Sequence, residues 1–220
     1  MKKIFIILIA FFLTNSAYSQ LKVNLQAGVN ISNLTDFDLE GLPADFPLDL
    51  STSTVPGFII GGNIQIGSSF YFQPGVYWHT LGNELNIEEL DLSDVTSDNV
   101  IARAIQIPVF IGYRLINTGL FNLRLYAGGS LLLITDVNEN EFEIIFNGQP
   151  FNVSVTKDDF NDQVFGVVGG AGIDFLIFSL DVNYERGISD FIDTEIPLGL
   201  TMIPAKAKNN IIRVTAGLRL

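Results

Sequence analysis

The stretch "LKVNLQAGVNIS", Leu21–Ser32, alternates apolar and polar residues without interruption over twelve positions. Its odd positions are all apolar, and its even positions are polar or glycine. An alternation of period two predicts a β-strand with two unlike faces. In a soluble β-protein the apolar face points inward, whereas in an outer-membrane barrel it points outward to lipid.

The first nineteen residues, 1–19, are predicted to form a cleaved secretory signal peptide. Lys2 and Lys3 precede an apolar run from Ile4 to Leu13, and Ala17-Tyr18-Ser19 forms a small-x-small cleavage site. The apolar run is too short for a transmembrane helix. Residues 20–220 are then expected to form one domain, which has no cysteine for a disulfide or a lipid anchor.

The composition combines high hydropathy with high negative charge. Mean hydropathy is +0.36, and 48% of residues are hydrophobic, while the net charge is −12. Most acidic residues fall in the four predicted loops 33–54, 83–99, 135–163 and 190–210, which carry net charges of −5, −6, −6 and −1. The chain has no basic surface pattern of the kind that binds nucleic acid, so a nucleic-acid partner is not expected.

The alternation recurs along the chain and predicts eight strands, an even number. Long predicted connections alternate with short ones, and both ends of the domain lie on the side of the short turns. This arrangement is typical of bacterial outer-membrane barrels. The predicted strands are 21–32, 55–66, 70–81, 100–114, 121–133, 165–175, 178–188 and 211–220. We therefore expect an all-β fold, an eight-stranded antiparallel up-and-down transmembrane barrel with short periplasmic turns and long acidic extracellular loops.

Three features favour the lipid-facing orientation of the apolar face. Aromatic residues on that face, such as Phe70, Tyr113 and Phe178, cluster near the short turns, while Trp78 and Tyr184 lie nearer the long loops. The polar face is rich in glycine, which permits the curvature of a small barrel. It also carries both signs of charge, which we expect to form ion pairs across a narrow lumen: Lys22, Arg114, Arg124, Asp174, Asp181, Glu185, Arg213 and Arg219.

Seven segments of the chain mark strand positions rather than chemistry: "QAGVNIS", "GFIIGGNIQIG", "YFQPGVYW", "IQIPVFIGYRL", "LYAGGSLLL", "FGVVGGAGIDF" and "LDVNYERGISD". Through them the chain resembles the PorT-like outer-membrane β-barrel domain family of the Bacteroidota, and the similarity extends over essentially the whole mature chain. The resemblance implies a small barrel in the outer membrane, and it gives weak support to a role in type IX protein secretion, to which the family's named member belongs.

His79 is the only histidine, and it raises the alternative of a lipid-modifying enzyme. Such a base needs a serine nucleophile and an orienting carboxylate, and only Glu84 lies nearby in sequence. We interpret His79 as a structural lumen residue and expect no enzymatic activity and no cofactor. A conducting pore is also disfavoured, because side chains fill an eight-stranded barrel. A lipocalin-like binder of a small ligand remains an alternative.

The acidic loops contain weak candidates for calcium binding, because carboxylate oxygens suit a hard cation. They are Asp36, Asp38, Glu40, Asp136, Glu139 and Glu141, and their spacing does not match an EF-hand. Solvated acidic loops are the simpler interpretation. In the third long loop, "EFEIIF" and "PFNVSV" flank "NGQ", which predicts a β-hairpin with its turn at Asn147-Gly148.

These patterns lead to a monomeric barrel in the outer membrane of a Gram-negative bacterium. Its expected partners are outer-membrane lipid and lipopolysaccharide, the barrel-assembly machinery during insertion, and a protein bound by the extracellular loops. Arg103 and Arg186 interrupt the apolar face near the long loops, where they are either solvated or in reach of lipid phosphates. The expected function is an anchor for interaction or envelope structure, and the alternative is a subunit of a secretion machine.

Overall fold

The computed structural model describes residues 21–39, 50–87, 99–118, 120–138, 140–146, 149–198 and 201–220. Side chains are described for 21–36, 56–82, 101–118, 120–138, 156–194 and 206–220. The predicted signal peptide therefore lies outside the described residues.

The described chain is almost entirely β-strand, and nine of its strands form one antiparallel sheet in the order β1-β2-β3-β4-β5-β8-β9-β11-β10. A further pairing between β1 and β11 closes eight of these strands into a barrel. The bounds are β1 Leu21–Leu39, β2 Leu50–Gly67, β3 Phe70–Ile87, β4 Asn99–Asn117, β5 Phe121–Val137, β6 Asn140–Phe146, β7 Gln149–Val155, β8 Gln163–Phe175, β9 Phe178–Gly187, β10 Ile192–Leu198 and β11 Thr201–Arg219.

The two faces of the barrel strands differ as the alternation predicts. In β1, Leu25 and Val29 are exposed on the outside, whereas Asn24, Gln26 and Asn30 are buried inside. The same pattern recurs in β8 and β9, whose burial alternates residue by residue. Because the barrel is closed, no strand in the membrane-spanning region has an unpaired edge. The backbone N–H and C=O groups are therefore hydrogen-bonded to neighbouring strands, as a medium without water requires. The eight-stranded barrel and the outward apolar face are thus confirmed.

Short turns join the strands at one end of the barrel. Gly67, at the end of β2, has a φ of +132°, a conformation that glycine adopts readily. Leu176 and Ile177 form the two-residue turn between β8 and β9. Beside these turns the rings of Phe70 and Tyr113 pack on the outer surface with their centroids 4.7 Å apart. An aromatic group of this kind is typical of a membrane interface.

At the other end, the strands run beyond the predicted boundaries. β1 continues to Leu39 rather than ending at Ser32, and β2 begins at Leu50 rather than Val55. The prediction of a loop over 190–210 was wrong, because β10 pairs with the first part of β11 from Ile192↔Ala207 to Leu198↔Thr201. Backbone pairing continues there because β10 and the first part of β11 run antiparallel and side by side beyond the membrane-spanning region. Their hydrogen bonds therefore extend over residues predicted to be a loop.

The predicted hairpin in the third long loop is confirmed. β6 and β7 pair from Asn140↔Val155 to Phe146↔Gln149 and form a two-stranded sheet separate from the barrel. The turn residues Asn147 and Gly148 themselves lie outside the described residues.

Candidate functional site in the barrel lumen

All eight charged residues predicted to face the lumen lie on the inward side of their strands. Six of them are buried, with at most 3% of their surface exposed, and Lys22 and Arg219 are half-buried at the short-turn end. Their spacing along the barrel separates two ion groups. One lies near the short turns, and the other lies toward the long loops.

The ion group near the short turns is centred on Arg124. Its Nη2 lies 2.9 Å from Oδ1 of Asp174 and 2.9 Å from Oδ2 of Asp181. Arg219 forms a second ion pair with Asp174, and Gln26 donates a hydrogen bond of 2.6 Å to Asp181. The two carboxylates are therefore bound by two arginines and an amide.

Arg114 lies at the same end but contacts neutral groups. Its Nη1 donates to the carbonyl of Gly67 at 3.0 Å, and its Nη2 donates to Gln65 at 2.8 Å. Its guanidinium carbon lies 4.6 Å from the centroid of the Tyr71 ring. Among the described residues neither Arg114 nor Lys22 forms an ion pair within 4.0 Å, so the structure does not bring these two cations onto a carboxylate.

The ion group toward the long loops is centred on Glu185. This carboxylate pairs with Arg213 and accepts hydrogen bonds from Gln106, at 2.5 Å, and Ser130, at 2.8 Å. Every donor is thus directed at the same two oxygens, an arrangement that satisfies the buried carboxylate and fixes its position.

His79 joins this group through Gln106. Its Nε2 lies 2.9 Å from Oε1 of Gln106, and because the amide nitrogen of Gln106 already donates to Glu185, the histidine is the donor. Ser130 donates to Glu185 rather than to His79. The described side chains therefore do not form a serine–histidine pair, and the side chain of Glu84 lies outside the described set.

The middle of the lumen is filled by hydrogen-bonded and aromatic side chains. Tyr77 and Asn63 both donate to Oε1 of Gln26, and the rings of Phe110 and Tyr126 stack with centroids 5.1 Å apart. A cavity of about 20 Å³ remains between these residues, which is room for about one water molecule.

An apolar plug, which was not predicted from the sequence, closes the lumen above the Glu185 group. Phe160 follows a single 3₁₀ turn, Lys157–Asp159, and packs edge-on against Phe191 with centroids 5.2 Å apart. Both rings enter a cluster of inward-facing side chains from the barrel wall. The buried members are Leu34, Leu81, Ala102, Ala104, Leu132, Ile134, Val137, Phe160, Val164, Phe191 and Ile211. The sequence does contain a signal for this cluster. At the long-loop ends of four strands the inward-facing positions become apolar, at Leu34, Leu81, Leu132 and Ile211.

The calcium candidates are not brought together in the described part of the chain. Asp36 lies 4.0 Å from Arg186, and Asp136 pairs with Arg103. The backbone of Asp38 pairs with that of Lys206. Glu40 and Glu139 lie outside the described residues, and Glu141 is described only in its β6 backbone. Where side chains are described, no group of three or more possible ligands could hold a metal ion.

Together these features define the class of protein. A closed antiparallel barrel with an apolar exterior, aromatic residues beside its short turns and a polar, ion-paired interior is a transmembrane barrel of the outer membrane. The sequence model of the outer membrane protein beta-barrel domain matches residues 14–193, and the chain belongs to this family. The protein is located in the outer membrane.

Solved structures of outer-membrane proteins resemble this barrel. OprG from Pseudomonas aeruginosa is similar with a TM-score of 0.53 and 10% identity, over 91% of this chain and 95% of that one. Ail of Yersinia pestis, solved in complex with the heparin analogue sucrose octasulfate, gives a TM-score of 0.42 and 16% identity over 91% and 99%. Neisserial surface protein A gives 0.43 and 11% over 90% and 96%. At these identities the likeness concerns the fold alone.

The comparison with curated proteins gives no match to this chain. Within the described residues, no helix is long and apolar enough to span a membrane.

Proposed function

We propose that this protein is a non-enzymatic anchor that presents its extracellular hairpins to a protein partner. The observation that carries the proposal is the β6–β7 hairpin, which forms its own two-stranded sheet. In the described part of the chain neither strand pairs with a third one. Unpaired strand edges can accept a strand from another protein. The barrel below, filled by ion pairs and closed by the apolar plug, serves as a rigid support.

The lumen supports a role without catalysis. His79 is fully buried and donates to Gln106, while the nearest serine in its network, Ser130, is held by Glu185. A nucleophile needs contact with its base and access to a substrate, and this arrangement supplies neither. In the middle of the lumen the packed side chains leave a cavity of about 20 Å³, which is room for about one water molecule and not for an organic cofactor.

The PorT-like resemblance supports a narrower version of the proposal, in which the partner belongs to a secretion machine. The remaining partners follow from the outer surface. The exposed apolar belt contacts lipid, and Arg103 and Arg186 lie at the long-loop end of the outer face, in reach of lipopolysaccharide phosphates. The barrel-assembly machinery inserts the chain, and the barrel remains a monomer.

The test is a pull-down of the tagged protein from its own outer membrane in mild detergent, followed by mass spectrometry. A stoichiometric protein partner is expected, and a secretion component would favour the narrower version. The double variant Asn147→Pro, Gly148→Pro should no longer capture the protein partner. Proline cannot adopt the positive φ of the type I′ turn that Asn-Gly favours.

Asn147→Asp is the matched control, since Asp-Gly supports the same turn. It should capture the partner at the wild-type level. All three proteins should insert equally, as judged by the mobility of unheated and boiled samples on a gel. Recovery of the wild-type barrel alone, or undiminished capture by the double-proline variant, would contradict the proposal.

A further inference from the structure

The short-turn end of the lumen holds more positive than negative charge. We define this end by the inward-facing ionisable residues nearest the short turns. The two carboxylates are Asp174 and Asp181, and the four cations are Lys22, Arg114, Arg124 and Arg219. The pair of Arg213 with Glu185 lies farther along the barrel and is balanced in itself.

Both carboxylates at this end are already bound by Arg124 and Arg219. Arg114 is 3% exposed, and the partners of its guanidinium among the described residues are a carbonyl, an amide oxygen and the Tyr71 ring. These neutral groups solvate the guanidinium without neutralising it. A buried charge without a counter-charge is costly, so the site as described lacks an anion.

Hydrogen-bond donors at this end are also unused. Nε of Arg114 and Nδ2 of Asn24 are buried without an acceptor among the described atoms. Nε and Nη1 of Arg124 are also without an acceptor, but Oδ1 of Asp174 and Oδ1 of Asp181 are likewise without a donor, so the Arg124 donors are not counted as spare. Asn24 is fully buried and pairs with Arg219 across the β1–β11 ladder. The backbone of Lys22 pairs with that of Gln65 across the β1–β2 ladder, and the side chain of Gln65 accepts a hydrogen bond from Arg114. Buried donors of this kind normally find an acceptor.

The undescribed segments nearest this end in sequence hold no acidic side chain. Residues 1–20 contain no aspartate or glutamate, and residue 119 is glycine. The acidic residues of the chain are otherwise concentrated in the long loops, at the opposite end of the barrel.

We propose that the short-turn end of the lumen binds a small oxyanion from the periplasm. Arg114 and Asn24 supply buried donors, and Lys22 and Arg219, which are half-buried, attract the anion to the mouth. An oxyanion with several acceptor oxygens can receive bonds from more than one of these donors at once. This site is independent of the hairpins at the other end, so its failure would leave the proposed anchoring function intact.

The test is isothermal titration of the refolded barrel in maltoside detergent and Tris buffer, which contain no phosphate. Inorganic phosphate, acetate and chloride are titrated at equal ionic strength. Saturable binding of phosphate and acetate, but not of chloride, is expected. Arg114→Gln and Lys22→Gln should each weaken phosphate binding tenfold or more, and Lys157→Gln, a partly exposed lysine in the segment between β7 and β8, should leave it unchanged.

Lys22→Gln keeps the test decisive if Arg114→Gln fails to fold, because Lys22 is half-buried and forms no ion pair within the described residues. Lack of saturable phosphate binding would overturn the proposal. Equal binding of chloride, or equal weakening by Lys157→Gln, would also overturn it, since either result would indicate only a general attraction between charges.

Discussion

Arg124 shows how a single residue organises the lumen. It is fully buried, and its Nη2 serves both Asp174 and Asp181. The inward position of these residues follows from period-two alternation alone. Their pairing does not, because it depends on which strands lie opposite across the barrel and on the register of each ladder. The sequence therefore predicts the set of lumen charges, whereas only the structure shows that Arg114 contacts no carboxylate among the described residues.

Replacing Arg124→Met should destabilise the barrel strongly. The substitution leaves two buried carboxylates with one arginine between them, and loss of one partner from a buried ionic group costs about 3–5 kcal/mol. Urea unfolding of the refolded protein in detergent measures this free energy. Arg103→Gln removes an exposed ion pair instead and should cost at most about 1 kcal/mol. Equal losses in the two variants would contradict the assigned role of Arg124.

At the scale of the strand, glycine sets how closely neighbouring backbones approach. A Cβ built on Gly28 in β1 would lie 2.0 Å from the carbonyl oxygen of Val214 and 2.7 Å from Cα of Thr215 in β11. Backbone atoms cannot move aside as a side chain can. A Cβ on Gly169 in β8 would meet no atom within 4 Å. Both glycines lie within strands, but of the two only Gly28 lies at a close approach of neighbouring backbones.

Gly28→Ala should therefore destabilise the β1–β11 closure by about 1–3 kcal/mol, the usual cost of overpacking. Gly169→Ala should leave stability unchanged or slightly raised, because alanine restricts the unfolded chain. Urea unfolding followed by gel mobility compares the two variants under the same conditions. A neutral Gly28→Ala would show that the strands separate more easily than their packing indicates.

Strand existence was predictable from the sequence, but strand ends were not. The alternation in "LKVNLQAGVNIS" and its repeats identifies each membrane-spanning segment, because lipid outside and ions inside require unlike faces. Beyond the membrane that requirement ends, and water surrounds both faces. β10 has the sequence "IDTEIPL", whose two acidic residues and proline do not predict a strand. The physical cause of its order is backbone pairing with β11, which composition does not reveal.

At the scale of the whole molecule, the lumen has three layers. The ion group around Arg124 lies near the short turns, the Glu185 group lies farther toward the long loops, and the plug of Phe160 and Phe191 lies beyond it at the outer end. The first two layers follow from the polar inward residues of the sequence. The third requires the segment between β7 and β8 to fold back over the barrel mouth, and a long-range contact of this kind leaves no local pattern at Phe160.

Stacked in this way, the layers should prevent ion conduction. The cavity between them, about 20 Å³, holds roughly one water, and conduction needs a continuous hydrated path. The refolded barrel in a planar lipid bilayer should show no stable current steps at moderate voltage. Phe160→Ala with Phe191→Ala should remove the plug and still show none, because the Arg213–Glu185 and Arg124–Asp174 ion pairs lie below it. Current steps in the double variant alone would show that the plug, and not the ion pairs, blocks conduction. Current steps in the wild type would show that the lumen is open in the membrane, and the protein would then be a channel rather than an anchor.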